Sequence, residues 1–372
     1  MTTFITRLDA SGSGPRLAVK DLIDVEGVPT TAGSRAVERS AKPAEADAPC
    51  LRGARAAGAR VVGKANLHEL AMLPFGTNPW FGTPVNPLDS ALIPGGSSSG
   101  SAVAVATDEA DVALGSDTGG SVRIPAACCG VTGLKTTHGR VSLEGVWPLA
   151  PSLDTIGPLA RDVAGVTLGM QLLEPGFAPA PSPARTIGRV RTDALPEIEH
   201  AVDDALRRSE LEIVELDLPD WETANGAFAT IILTESWQVD HHLMADRAEI
   251  GDDIAGMLEM AALFMPNIDD ARRQADEWRT ALFALFERVE LLALPTIPIL
   301  PPRADALVGD QTPLVIDITR HTGPFNLAGT PALALPVPMT GGRLPASLQL
   351  VGPRGAEELL VATGRVVEAA RG

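Results

Sequence analysis

Lysine is scarce in this chain. Of its 30 basic residues only Lys20, Lys42, Lys64 and Lys135 are lysines. Arginine supplies nearly every other positive charge, so a retained lysine draws attention to chemistry that arginine cannot do, although base composition alone produces the same bias. Cysteine is scarce too. Cys50, Cys128 and Cys129 make an odd number and two are adjacent, so no disulfide framework is visible and a reducing cytoplasm fits. Positive charge is in deficit: the net charge is −17, with no basic patch or tail. That argues against nucleic acid and against anionic membrane surfaces as partners. No apolar run reaches the roughly 18 residues of a membrane span. The first residues, Met1 to Arg7, lack a charged segment followed by an apolar one, so no signal peptide is expected. The six histidines form no His-Glu-x-x-His pattern, and no ligand cluster is visible, so the expectation is no metal and no other cofactor.

What is present suffices for a sizeable core. The chain has 372 residues, 45% of them hydrophobic, enough for one large domain or two small ones. Short apolar or alternating runs at 17–19, 61–64, 112–114, 132–134, 140–142, 186–190, 211–216, 291–294, 332–337 and 347–351 predict strands. Helical patterns lie between them, at 47–59, 67–71 behind a capping Asn66, 102–106, 161–173, 197–208 and 356–370. Region 221–290 is mostly helical, with charged residues at i, i+4 spacing. The alternation predicts an α/β fold, a mixed sheet with helices on both faces, in one domain over 1–372. The 221–290 region reads as an insertion, placed to shape a pocket. Pro74, Phe75, Trp80, Trp147 and Trp237 are further candidates for its walls. Met257, Met260 and Met265 read as core by default.

The residues that carry chemistry lie between Pro94 and Pro125. Two Gly/Ser turns, Gly95-Gly96-Ser97-Ser98-Ser99-Gly100-Ser101 and Gly115-Ser116-Asp117-Thr118-Gly119-Gly120-Ser121, flank one buried-looking segment. Glycine lets backbone N–H groups approach a ligand closely. Ser121, behind Thr-Gly-Gly and ahead of a short helix, is well placed as a nucleophile, because the turn's N–H groups can hold an oxyanion. A serine hydroxyl needs a base. A buried, neutral lysine can be that base, whereas arginine does not deprotonate. Lys64 closes the strand Val61-Val62-Gly63 and is the candidate; Ser97 can relay the proton between them.

These motifs together resemble the amidase signature family. The resemblance also takes in Leu17-Ala18-Val19-Lys20-Asp21, Gly63-Lys64-Ala65-Asn66-Leu67-His68-Glu69-Leu70, Gly139-Arg140-Val141-Ser142, Ser152-Leu153-Asp154-Thr155-Ile156-Gly157-Pro158, Phe325-Asn326-Leu327-Ala328-Gly329-Thr330-Pro331 and Leu344-Pro345-Ala346-Ser347-Leu348-Gln349. It covers roughly 16–170 and 290–370, the catalytic core that it implies. By motif position Ser121 resembles the family's nucleophile, Ser97 its cis-serine and Lys64 its base. Thr118, Gly119 and Gly120 resemble its oxyanion hole. Asp117 and Arg123 flank the turn as a pair, and Ser152 and Asp154 resemble supporting residues. The resemblance implies hydrolysis of a small-molecule carboxylic amide, and of esters, through an acyl-enzyme, and it is compatible with a homodimer. The chain is shorter than many relatives, with 15 residues ahead of Arg16. Within the family the alternative is the A subunit of a tRNA-dependent amidotransferase, which makes ammonia from glutamine. Outside it stand a catalytically inactive binding protein on the same fold, and an α/β-hydrolase in which Ser98, in Gly-x-Ser-x-Gly, would act with Asp317 and His321.

Overall fold

The computed structural model describes residues 2–218 and 220–370. Its frame is one 11-stranded mixed sheet. The strands are β1 (Phe4–Arg7), β2 (Arg16–Lys20), β3 (Arg60–Ala65), β4 (Val112–Ser116), β5 (Thr132–Lys135), β6 (Ile156–Ala160), β7 (Thr186–Val190), β8 (Glu212–Leu216), β9 (Leu291–Pro295), β10 (Ala332–Val337) and β11 (Ala346–Val351). They are ordered β1-β3-β2-β4-β6-β5-β10-β11-β9-β7-β8. β2 is parallel to both β3 and β4, and β7 to both β8 and β9; the remaining pairs are antiparallel.

The central strands are apolar along their whole length because both faces are covered. Side chains alternate across a strand, so a doubly covered strand reads as a continuous hydrophobic run. In β9, Leu291 and Ala293 enter one core cluster while Leu292 and Leu294 enter another. The first cluster packs the sheet against the helices Val163–Leu173, Pro196–Arg208 and Glu357–Ala369; the second packs it against Trp221–Asp240 and Ile268–Leu285. The α/β architecture with a mixed sheet and helices on both faces is therefore as the alternation predicts.

Several local expectations are corrected. Residues 67–71 form no α-helix: there is only a 3-10 turn, Glu69–Ala71, with Leu70 and Ala71 at φ 52° and 58°. Asn66 holds loops instead of capping a helix, donating to the Thr2 and Gly82 carbonyls at 2.8 and 2.7 Å. The 47–59 region is a shorter piece, a 3-10 turn at Pro49–Leu51 and a helix at Arg52–Ala56. Residues 140–142 form no strand. Two strands and three helices carry no strong periodic signal and lie outside the pattern: β1, β6, Arg35–Glu38, Thr312–Thr319 and Gly323–Leu327. Glycine and proline interrupt β6 in sequence, yet its five residues are all buried.

Candidate active site

The two Gly/Ser turns meet. Ser98 N–H donates to the Ser121 carbonyl at 3.2 Å, and β4 runs directly into the second turn. The first turn contains a cis peptide bond between Gly96 and Ser97 and continues as the helix Ser99–Ala106. The second continues as Arg123–Cys129.

The lysine beside Ser97 is Lys20, not Lys64. Lys20 Nζ donates to Ser97 Oγ at 2.7 Å and to Ser116 Oγ at 2.8 Å, and its side chain is fully buried. Burial pulls its ammonium down from the ordinary 10.5 to about 7, against the opposing attraction of the Asp117 and Asp154 carboxylates. Lys64 is buried too, but Nζ pairs with Asp21 Oδ1 at 2.9 Å and donates to Thr30 Oγ1 at 2.8 Å. Sheet order and pleat together explain the difference. β2 lies next to β4, whose end carries the nucleophile turn, whereas β3 is one strand further out. Val19 pairs in register with Lys64, so Lys20, one residue on, points to the opposite face of the sheet.

Ser121 lines a cavity of about 180 Å³ and keeps a small exposed area of 8%. Ser98, the nucleophile of the α/β-hydrolase alternative, is buried, and its hydroxyl donates to the Ser116 carbonyl at 3.2 Å. His321, its proposed partner, donates instead from Nδ1 to the Pro295 carbonyl at 3.1 Å. That alternative lacks its geometry.

Asp117 shapes the turn from inside. Its carboxylate accepts from the N–H groups of Gly120 at 2.9 Å, Val122 at 3.1 Å and Arg123 at 3.4 Å. Arg123 grips it twice, through Nε at 3.0 Å and a terminal nitrogen at 2.9 Å. Burial pushes Asp117 upward, but Arg123, with Lys135 and Asn326, overrides this and holds it far below the usual carboxylate range. The Gly120 N–H is therefore occupied, which removes it from the expected oxyanion hole in this state. Among the described residues, the N–H groups of Thr118, Gly119 and Ser121 have no acceptor and remain free to bind one. Gly120 sits at φ +129°, a conformation that strains any side-chain-bearing residue.

The supporting pair divides. Asp154 accepts from Thr118 Oγ1 at 2.5 Å and from the Leu149 N–H at 3.0 Å, so it steadies the turn. Ser152 is exposed and does not touch the turn. Its hydroxyl donates to Glu235 Oε1 at 2.7 Å, tying the loop to the helix Trp221–Asp240. That helix contributes Asn225, Phe228, Ile232 and Ser236 to the cavity lining. Pro74, Met257 and Met260 also line it; Phe75, Trp80, Trp147, Trp237 and Met265 do not. Cys128 and Cys129 are core, and His241 and His242 are exposed. No cluster able to hold a metal ion occurs among the described residues, and no helix there is long and apolar enough to cross a membrane.

The sheet thus presents Ser121 in a glycine turn at the cavity, and in the adjoining turn Ser97 meets the buried Lys20. The sequence matches the family described as Amidase over residues 13–361, and the chain belongs to that family, the amidase signature enzymes, which act on carbon–nitrogen bonds. It is 38% identical to the A subunit of the glutamyl-tRNA(Gln) amidotransferase of Thermus thermophilus, over 96% of this chain and 85% of that protein. It is 36% identical to the 2-amino-5-chloromuconic acid deaminase of Comamonas testosteroni, over 96% and 81%. A crystal structure described as an amidase superposes with a TM-score of 0.86 at 32% identity, over 96% of this chain and 85% of that one. The amidotransferase name recurs among the curated relatives.

Proposed function

We propose that this protein hydrolyses a carboxylic amide with Ser121 as nucleophile, Ser97 as relay and Lys20 as base. The contact of the buried Lys20 amine with Ser97 Oγ, at 2.7 Å, carries the reading. Neutral Lys20 takes the Ser97 proton as Ser97 takes that of Ser121, and Ser121 Oγ bonds to the amide carbon. The N–H groups of Thr118, Gly119 and Ser121 hold the oxyanion. Its collapse breaks the C–N bond, and the amine leaves with the proton returned through Ser97. Water then attacks the acyl-enzyme by the same proton path and releases the acid. Esters pass through the same steps. A serine-directed fluorophosphonate is expected to mark the peptide carrying Ser121. Ser98→Ala should still label and Ser121→Ala should not; an adduct on Ser98 would refute the assignment.

Because only the unprotonated amine accepts a proton, kcat/KM should rise with pH through a limb near 7, well below lysine's ordinary 10.5. A flat profile between pH 6 and 9, with chemistry rate-limiting, would remove Lys20 as the base.

A second reading rests on the relatives' names: the chain hydrolyses glutamine within an amidotransferase complex, in the place those A subunits hold. Length does not oppose it, since the amidotransferase chain of Halobacterium salinarum aligns over 99% of both proteins. Affinity purification from the native host distinguishes the readings. Stable partner subunits and glutamine-dependent ammonia release support the second; a free chain inert toward glutamine excludes it.

A further inference from the structure

We propose that the cavity beside Ser121 selects an uncharged amide carrying an apolar group of about the bulk of a benzene ring, and that Phe228 sets that size. The inference rests on Ser121 being the nucleophile. None of the residues lining the cavity carries a charge. Its walls include Ile124, Leu149, Phe228, Ile232, Met257 and Met260, and its polar members besides Ser121, such as Asn225 and Ser236, are neutral. An ammonium or carboxylate brought in here would lose its hydration without gaining a counter-charge. The α-amino and α-carboxylate groups of a free amino-acid amide such as glutamine are therefore poorly matched to it. At about 180 Å³ the space slightly exceeds the roughly 150 Å³ of an apolar protein cavity that accepts benzene. At the rim, Ile316 is 57% exposed, which presents an apolar surface to an arriving ligand.

Phe228 is a wall that packs directly on the nucleophile turn. A Cβ on Gly119 would lie 2.5 Å from Phe228 Cζ, and one on Gly323 would lie 2.5 Å from its Cδ1. The ring is thus wedged between the nucleophile turn and the start of the helix Gly323–Leu327, where only glycine leaves room for it. Removing the ring deepens the cavity directly beside Gly119 and Ser121.

The test compares kcat/KM for benzamide, hexanamide, 2-naphthamide, glycinamide and L-glutamine, with p-nitrophenyl acetate, an activated ester, as the check on Ser121-dependent turnover. Benzamide or hexanamide should exceed L-glutamine and glycinamide by at least about 100-fold, the order expected when a charge is buried unpaired. Phe228→Ala should raise the 2-naphthamide to benzamide ratio by about tenfold or more, as added cavity admits the larger ring; Phe228→Leu, a milder change, should move it the same way. Ser121-dependent hydrolysis of p-nitrophenyl acetate together with equal or faster turnover of glutamine would overturn this proposal alone. An unchanged ratio in a folded Phe228→Leu variant would overturn the role of Phe228. Absence of any Ser121-dependent turnover of the acetate would overturn the nucleophile reading and this inference with it.

Discussion

Replacing Lys20 by either alanine or arginine is expected to lower kcat/KM by at least the ~10²–10⁴-fold typical of losing a general base. Alanine removes the amine that reaches both Ser97 Oγ and Ser116 Oγ; arginine keeps the charge but cannot shed its proton. Lys64→Arg should behave differently. It can keep a charge facing Asp21, and the nucleophile turn is not among its contacts. Its turnover per folded molecule should stay within a few-fold of the parent, with any loss appearing as reduced stability. Steady-state kinetics on protein of matched folded fraction, checked by circular dichroism, measures both. A Lys20→Arg variant with near-parent turnover, or a Lys64→Arg variant that is folded and inert, would return the base role to Lys64.

That contrast shows what was legible in the sequence. Both lysines close apolar strands and both lie in motifs that point to this family, so local pattern alone does not separate them. The deciding facts are non-local: β2 lies beside β4, β3 lies outside β2, and the register sends Lys20 and Lys64 to opposite faces. A cue was nevertheless present. Lys20 is directly followed by Asp21, and Asp21 is what occupies Lys64. That the two serines lie in adjoining turns was legible because glycines mark those turns directly. The occupied N–H of Gly120 was not, since it depends on where the Asp117 carboxylate folds back. Apolar runs bounded by proline were legible directly: β10, at Ala332–Val337, has the bounds expected. Short pieces governed by loop packing, such as the residues after Asn66, were not, because hydrogen bonds to the distant Thr2 and Gly82 carbonyls override a helical pattern. The cavity wall Thr312–Thr319 escaped for a related reason: only Ile318 of that helix is buried, so it shows little of the apolar stripe that announces a packed helix.

Arg123→Met is expected to destabilise the fold by about 3–5 kcal/mol, the usual cost of stripping one partner from a buried ion pair. Arg123 and Asp117 are both fully buried, so the carboxylate would be left without its counter-charge. Arg123 also joins distant parts of the chain, donating to Gln349 Oε1 and Asn326 Oδ1 at 2.6 Å each and to the Thr322 carbonyl at 3.2 Å. Arg123→Lys should recover little of the loss, because one ammonium cannot reproduce a planar, five-donor fork. The pH dependence has a definite sign. A carboxylate held below its unfolded value binds fewer protons folded than unfolded as acid is added. The contribution of the pair is therefore complete above the unfolded value of about 3.9 and declines as pH falls below it toward the depressed folded value. The parent should lose this increment on acidification, while Arg123→Met has little of it to lose. Urea unfolding of parent and variant at pH 7 and at pH 3.5 reads both effects, and the gap between them should be larger at pH 7. Activity follows stability here, since the same carboxylate fixes the N–H groups of Gly120 and Val122 on either side of Ser121. A variant within about 1 kcal/mol of the parent at pH 7 would mean that Asn326 and the turn's own N–H groups suffice to hold Asp117, and that the arginine is dispensable to the nucleophile's position.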